Sequence, residues 1–155
     1  MALGRKNIEF QDNTDEVLRG LDAAIIRGLT AIGIEAEANA KREITRLVYS
    51  RGDKEKKYRL TGRLRNSITF ALAGEEARAK AYNDDDGKAY KYDGVAPGEK
   101  GSGVYIGSNV EYAPYVEMGT SRTRARPFLR PAAADHGQRY KQLMAAAIRG
   151  NESEK

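Results

Sequence analysis

The sequence predicts an α+β domain: a long N-terminal helix packed on a small antiparallel sheet, with a second helix at the C-terminus. Three observations carry this. Apolar and small residues recur at steps of three and four from Leu18 to Leu47, the period of one helical face. The pattern then changes to alternation, with Ile68, Phe70 and Leu72 set against Thr69, Ala71 and Ala73, the period of a strand with one wet face. After Pro131 the helical period returns at His136, Tyr140, Leu143, Met144, Ala147 and Ile148. A chain of 155 residues fits a single domain, 1–155, and can bury a core without cross-links. The expected core spans 14–149.

The first helix places Leu18, Leu21, Ile25, Leu29, Ile32, Ala36, Ala40, Ile44 and Leu47 on one stripe. From Thr14 to Val48 it would reach about 50 Å. Asn13, three residues before Glu16, suits a capping arrangement. Gly20, Gly28 and Gly33 each cost a helix about 1 kcal/mol relative to alanine, so a kink or break is expected near 28–33. The stripe reads as a helix lying on a sheet. It has too few heptads and too little ordered flanking charge for a coiled coil.

Tyr49 to Arg65 is a basic connector in which Arg51, Lys54, Lys56, Lys57, Arg59, Arg63 and Arg65 face only Asp53 and Glu55. Such a run is a solvated loop or a contact for phosphate or an acidic partner. Gly74-Glu75-Glu76 can turn the chain, and Ala77, Ala79 and Ala81 then alternate with Arg78, Lys80 and Tyr82. This predicts a hairpin with the 68–72 strand. A third strand is expected at Val104–Gly107. Between them, Asn83 to Gly103 reads as a long flexible loop. Pro114 suits a short helical turn and Gly119 its close. Arg122, Arg124 and Arg126 share one side if extended, and Pro131 suits a first helical position. The 150–155 tail should fray.

Charge and composition exclude several classes. There are 27 basic and 22 acidic residues, a net charge of +5 and a pI near 9.4, which point only weakly to nucleic acid. The absence of cysteine removes disulfide and thiol chemistry and the common cysteine-based metal sites. No apolar run reaches the roughly 20 residues of a membrane helix, and MALGRKNIEFQDN lacks the apolar centre of a secretory signal. GxxxxGK[ST], GxGxxG and GxSxG are all missing. The single histidine, His136, is expected within the last helix as a face residue rather than a general base. The Asp84-Asp85-Asp86 run fails as a calcium loop, because with Gly87 sixth the first position is Tyr82 and the twelfth Asp93. The expectation is a protein that is not an enzyme, with no catalytic residue, cofactor or metal.

The densest signal is Tyr112–Pro131, YAPYVEMGTSRTRARPFLRP: aromatics, a turn glycine, spaced arginines and a proline-bounded Phe-Leu. It reads as a rigid corner leading into the terminal helix. Nine tyrosines against three phenylalanines and no tryptophan suit contact surfaces, where a large ring with a polar tip is useful, or ordinary half-buried packing. Tyr112, Tyr115, Glu117, Arg122, Arg124 and Arg126 are the candidate interface residues. Glu117 is expected to pair with an arginine, locally or across subunits.

Four segments together resemble a known family: TGRLRNSI at 61–68, VYIG at 104–107, YAPYVEMGT at 112–120 and RPFLRPA at 126–132. Their order, type and spacing are similar to the gene-product-ten-like family of tailed-bacteriophage neck proteins, across roughly residues 14–149. YAPYVEMGT followed by RPFLRPA is the specific part. The resemblance implies the same α+β fold in a structural subunit of a phage or prophage virion, a head–tail connector, tail-completion or minor capsid component. It also implies a homo-oligomeric ring, six-fold by analogy, beside connector or head-closure and tail-tube or terminator proteins, assembled in the bacterial host cytoplasm. DNA would cross the lumen with at most non-specific contact. The alternative from charge alone is a nucleic-acid-binding module using the 51–65 run.

Overall fold

The computed structural model describes residues 13–50, 60–75, 80–92, 95 and 103–152. Helix α1 (Thr14–Ile44) runs for 31 residues, about 46 Å, and continues as one wider π-helical turn over Thr45–Tyr49. It is unbroken at Gly28 and Gly33, so the expected break does not occur. Packing is the reason. A Cβ on Gly28 would come within 2.6 Å of Met144 Sδ, and one on Gly33 within 2.6 Å of Phe70 Cε2. Both glycines let a neighbouring element approach the helix backbone, and that contact offsets their poor propensity. At the N-terminus, Asn13 holds the cap position without a side-chain hydrogen bond. Its carbonyl accepts from the Val17 N–H at 3.0 Å, the first ordinary bond of the helix, so the expected side-chain capping by Asn13 is corrected.

The strands form two separate two-stranded ribbons. In the first, β1 (Thr69–Leu72) runs antiparallel to β4 (Val104–Gly107), with Phe70 opposite Ile106 and Leu72 opposite Val104. In the second, β2 (Lys80–Asn83) pairs with β3 (Ala89–Tyr92), with Tyr82 opposite Tyr90. The expected hairpin of β1 with the 77–82 segment is therefore corrected. All four β1 residues are buried, so the expected wet face of this strand is corrected; they need a neighbour with apolar side chains, which β4 supplies and the alanine–lysine–arginine run does not. Residues 76–79 lie outside the described residues. The expected 83–103 loop is corrected too, since it contains strand β3; 93–94 and 96–102 lie outside the described residues. Helix α2 (Arg63–Ser67) occupies the end of the expected connector, whose 51–59 portion also lies outside.

Toward the C-terminus, α3 (Ala113–Met118) carries Pro114 in its first turn and ends at Gly119, as expected. In α4 (Leu129–Ala134), Pro131 is the third residue rather than the first. A turn at 135–136 separates α4 from α5 (Gly137–Glu152), so His136 lies in that turn and not within a helix. The expected fraying of the 150–155 tail is corrected over 150–152, which continue α5; residues 153–155 lie outside the described residues. Helix α5 runs antiparallel to α1: Tyr140 meets Asn39, while Met144 and Ala147 lie against Gly28. Leu143, Met144, Ala147 and Ile148 are half-buried there.

The core gathers Ala40, Ile44, Leu64, Ile68, Val110, Ala113, Phe128 and Ala132. Burying a ring such as Phe128 contributes about 1.5–3 kcal/mol. The stripe predicted on α1 is buried at Ala36, Ala40 and Ile44, but Leu18 and Leu21 remain 53% and 38% exposed. The described elements cover only the C-terminal two thirds of the helix, leaving its first turns bare on the apolar side.

Candidate functional site

The corner between α3 and α4 is a built object. Tyr112 precedes α3, and Tyr115 and Met118 on that helix stand out from the surface, 62% and 74% exposed. Glu117, on the same short helix, turns the other way. Its Oε2 accepts from the backbone N–H of Phe128 at 2.7 Å and of Leu129 at 3.0 Å, and its Oε1 from that of Arg130 at 3.0 Å. The carboxylate thus closes the N-terminus of α4 from eleven residues upstream. It satisfies donors that the helix cannot and complements the helix dipole. The expected pairing of Glu117 with an arginine is replaced by this cap.

Between the two helices the chain makes a tight finger. Gly119 sits at φ 76°, and a Cβ there would meet Ala125 N at 2.6 Å and Thr123 O at 2.8 Å, so only glycine fits. Thr120 and Thr123 exchange backbone hydrogen bonds at 2.8 and 3.3 Å, and Arg126 N–H donates to Val116 O at 2.8 Å. Thr120 Oγ1 accepts from the Arg122 and Thr123 amides. Beneath, Phe128 anchors the finger in the core at 0% exposure. Arg122 and Arg124 lie exposed on the tip and Arg126 half-buried at its base. The three are not aligned on an extended strand, since residues 121–123 bend. None of their guanidinium groups meets a carboxylate among the described residues. Of the six candidate residues, Tyr115, Arg122 and Arg124 stand exposed on this corner, an outward knuckle, and Arg126 lies half-buried at its base; Glu117 is the strut inside it, and Tyr112 lines the hollow beside Val48, Tyr49 and Leu64 instead.

A second cluster fastens the tyrosine ribbon to α2. The Arg63 guanidinium lies 4.6 Å from the Tyr90 ring centre and 3.4 Å from the Glu111 carboxylate. Arg65 lies 2.7 Å from Asp85 and 5.1 Å from the Tyr49 ring centre. Tyr82 and Tyr90 stack at 5.4 Å. Asp84, of the acidic run, is buried. Its carboxylate accepts from the amides of Asp86 at 3.1 Å and Lys88 at 2.8 Å and from the Tyr90 hydroxyl at 3.3 Å. This is a side chain closing a turn. Burial pushes the Tyr49 hydroxyl above its ordinary range, and burial does the same for Tyr112. The Glu111 carboxyl is held below its usual range, first by its own backbone amide and then by Arg63.

Two functional features escaped the sequence reading. The β2–β3 ribbon was signalled by Asp86-Gly87 between two tyrosine-bearing alternations, a hairpin signature; Gly87 has φ 82°. The Glu117 cap had no local signal, because its partners are eleven to thirteen residues away. Among the described residues no group of three or more His, Asp or Glu side chains is arranged to hold a metal ion, and no helix is long and apolar enough to cross a membrane. Comparison with models of known families, with curated proteins and with solved structures gives no match.

Proposed function

We propose that the chain is a structural subunit of a tailed-phage or prophage neck, assembling with copies of itself into a ring at the head–tail joint or at the end of the tail. The observation that carries this reading is the knuckle: a strutted corner with Tyr115 and Met118 bare and arginines at its tip. Aromatic, methionine and arginine side chains are the enriched residues of protein interfaces, and a rigid platform lowers the ordering cost of binding. The resemblance of YAPYVEMGT and RPFLRPA to neck proteins supplies the context, and it rests on the same residues.

A nucleic-acid module built on the 51–65 run is less well supported. Arg63 and Arg65, the described arginines of that run, each already engage a carboxylate and a tyrosine ring. Native mass spectrometry across a concentration series tests the proposal. A closed oligomer of one size is the expected result. A chain that stays monomeric at every concentration, and does not join purified connector or tail assemblies, overturns it.

A further inference from the structure

The first turns of α1 carry an apolar surface that the described part of the fold leaves open. Leu18 and Ile26 are 53% and 56% exposed. Beside them, a groove of about 430 Å³ runs between α1 and the end of β1, lined by Asp22, Ile25, Ile26, Leu29, Leu72 and Glu75. Among the described residues the charged lining of this groove is Asp22 and Glu75, both acidic, and Glu75 Oε2 also accepts from the Leu72 amide at 3.3 Å. The knuckle is its complement. It presents bare Tyr115 and Met118 with Arg122, Arg124, Arg126 and Arg130, whose guanidinium groups meet no carboxylate among the described residues. Its one acid, Glu117, is consumed by the α4 backbone.

We infer that the groove receives the knuckle of a second copy of this chain. Within one subunit the two cannot meet. The groove lies at residues 22–29 of α1, while the corner packs beside Val48 and Tyr49, about 30 Å further along the helix axis. Opposite charges set on matched apolar ground fix the register and steer the encounter. Two different surfaces at opposite ends of one rigid element make a head-to-tail contact, which closes a ring if the rotation fits and otherwise grows a filament. This deepens the ring reading, rests on it, and names the two faces that join.

The chain contains no cysteine, so introduced thiols report a single contact. Met118→Cys and Ile26→Cys sit at positions 74% and 56% exposed, where the fold tolerates them. With both in one chain, mild oxidation should give a ladder of disulfide-linked multimers on a denaturing gel, and each single variant should stay monomeric. In the double-cysteine background, Asp22→Lys or Arg124→Asp alone should weaken the ladder several-fold, and the two together should restore it.

Absence of a ladder overturns the contact; it is also the result if residues 1–12 of the same chain, or a different virion protein, fill the groove. Dimers from either single variant as abundant as the ladder overturn it as well, because like faces would then be meeting. A ladder that grows without limit keeps the contact and overturns the ring. A closed oligomer with no ladder keeps the ring and overturns the contact.

Discussion

Replacing Glu117 by alanine removes three backbone partners at once: the N–H groups of Phe128, Leu129 and Arg130, at 2.7, 3.0 and 3.0 Å. Losing a helix cap costs about 1 kcal/mol. Phe128 is fully buried, and a buried N–H left without an acceptor adds about 1–3 kcal/mol. Arg130 is exposed, so water replaces that bond cheaply. The sum is about 2–4 kcal/mol. A chain of this size shifts by about 2–4 °C per kcal/mol, so the melting temperature should fall by roughly 4–16 °C. Glu117→Gln keeps one acceptor oxygen and should lose about half as much, because hydrogen bonds to charged groups are about twice as strong. Urea titrations followed by far-ultraviolet circular dichroism measure this, with an unchanged slope showing that the unfolded state is the same. A Glu117→Ala protein within about 0.5 kcal/mol of the parent, the scale of an ordinary surface change, refutes the strut.

Other substitutions separate packing from propensity. Gly33→Ala drives a methyl into the Phe70 ring and should destabilise by about 1–2 kcal/mol despite better helix propensity. Gly28→Ala meets the flexible end of Met144, so its propensity gain of about 1 kcal/mol should leave stability nearly unchanged; equal losses at both sites would contradict the argument. Gly119→Ala must hold φ 76° and push against the Ala125 and Thr123 backbone, so a loss of about 1–3 kcal/mol is expected in thermal melts. Burial raises the Tyr49 and Tyr112 hydroxyls above 10.0. The unfolded chain then gives up these protons first as pH rises, so stability should be intact below about pH 10 and decline above it. Spectroscopic tyrosinate titration should show a late phase, and Tyr49→Phe with Tyr112→Phe should remove it.

Much of this architecture can be read from the chain, and the exceptions have physical causes. Long α1, the β4 segment, the short α3 with Pro114 and Gly119, and the amphipathic α5 follow from period and turn chemistry, which are local. Pairing is not local. The partner of β1 is decided by which strand can share its fully buried environment, and Val104 and Ile106 do so from more than thirty residues away. The break at Gly28–Gly33 fails for a related reason: propensity sees the missing Cβ, but not the Phe70 ring and Met144 that occupy its place. At the corner, the composition of Tyr112–Pro131 marks an outward surface. The division of labour within it, with Tyr115 and Met118 outside and Glu117 inside, depends on the direction of each side chain from a six-residue helix.

The central claim is that the knuckle joins one copy to the next. The most direct measurement is sedimentation velocity of the Tyr115→Asp/Met118→Asp protein beside the parent, at matched concentration and low salt. Both positions are well exposed, so the fold should melt at the parental temperature while the closed oligomer is lost to monomer. An assembled protein with both aspartates in place, as large and as salt-resistant as the parent, would contradict the account.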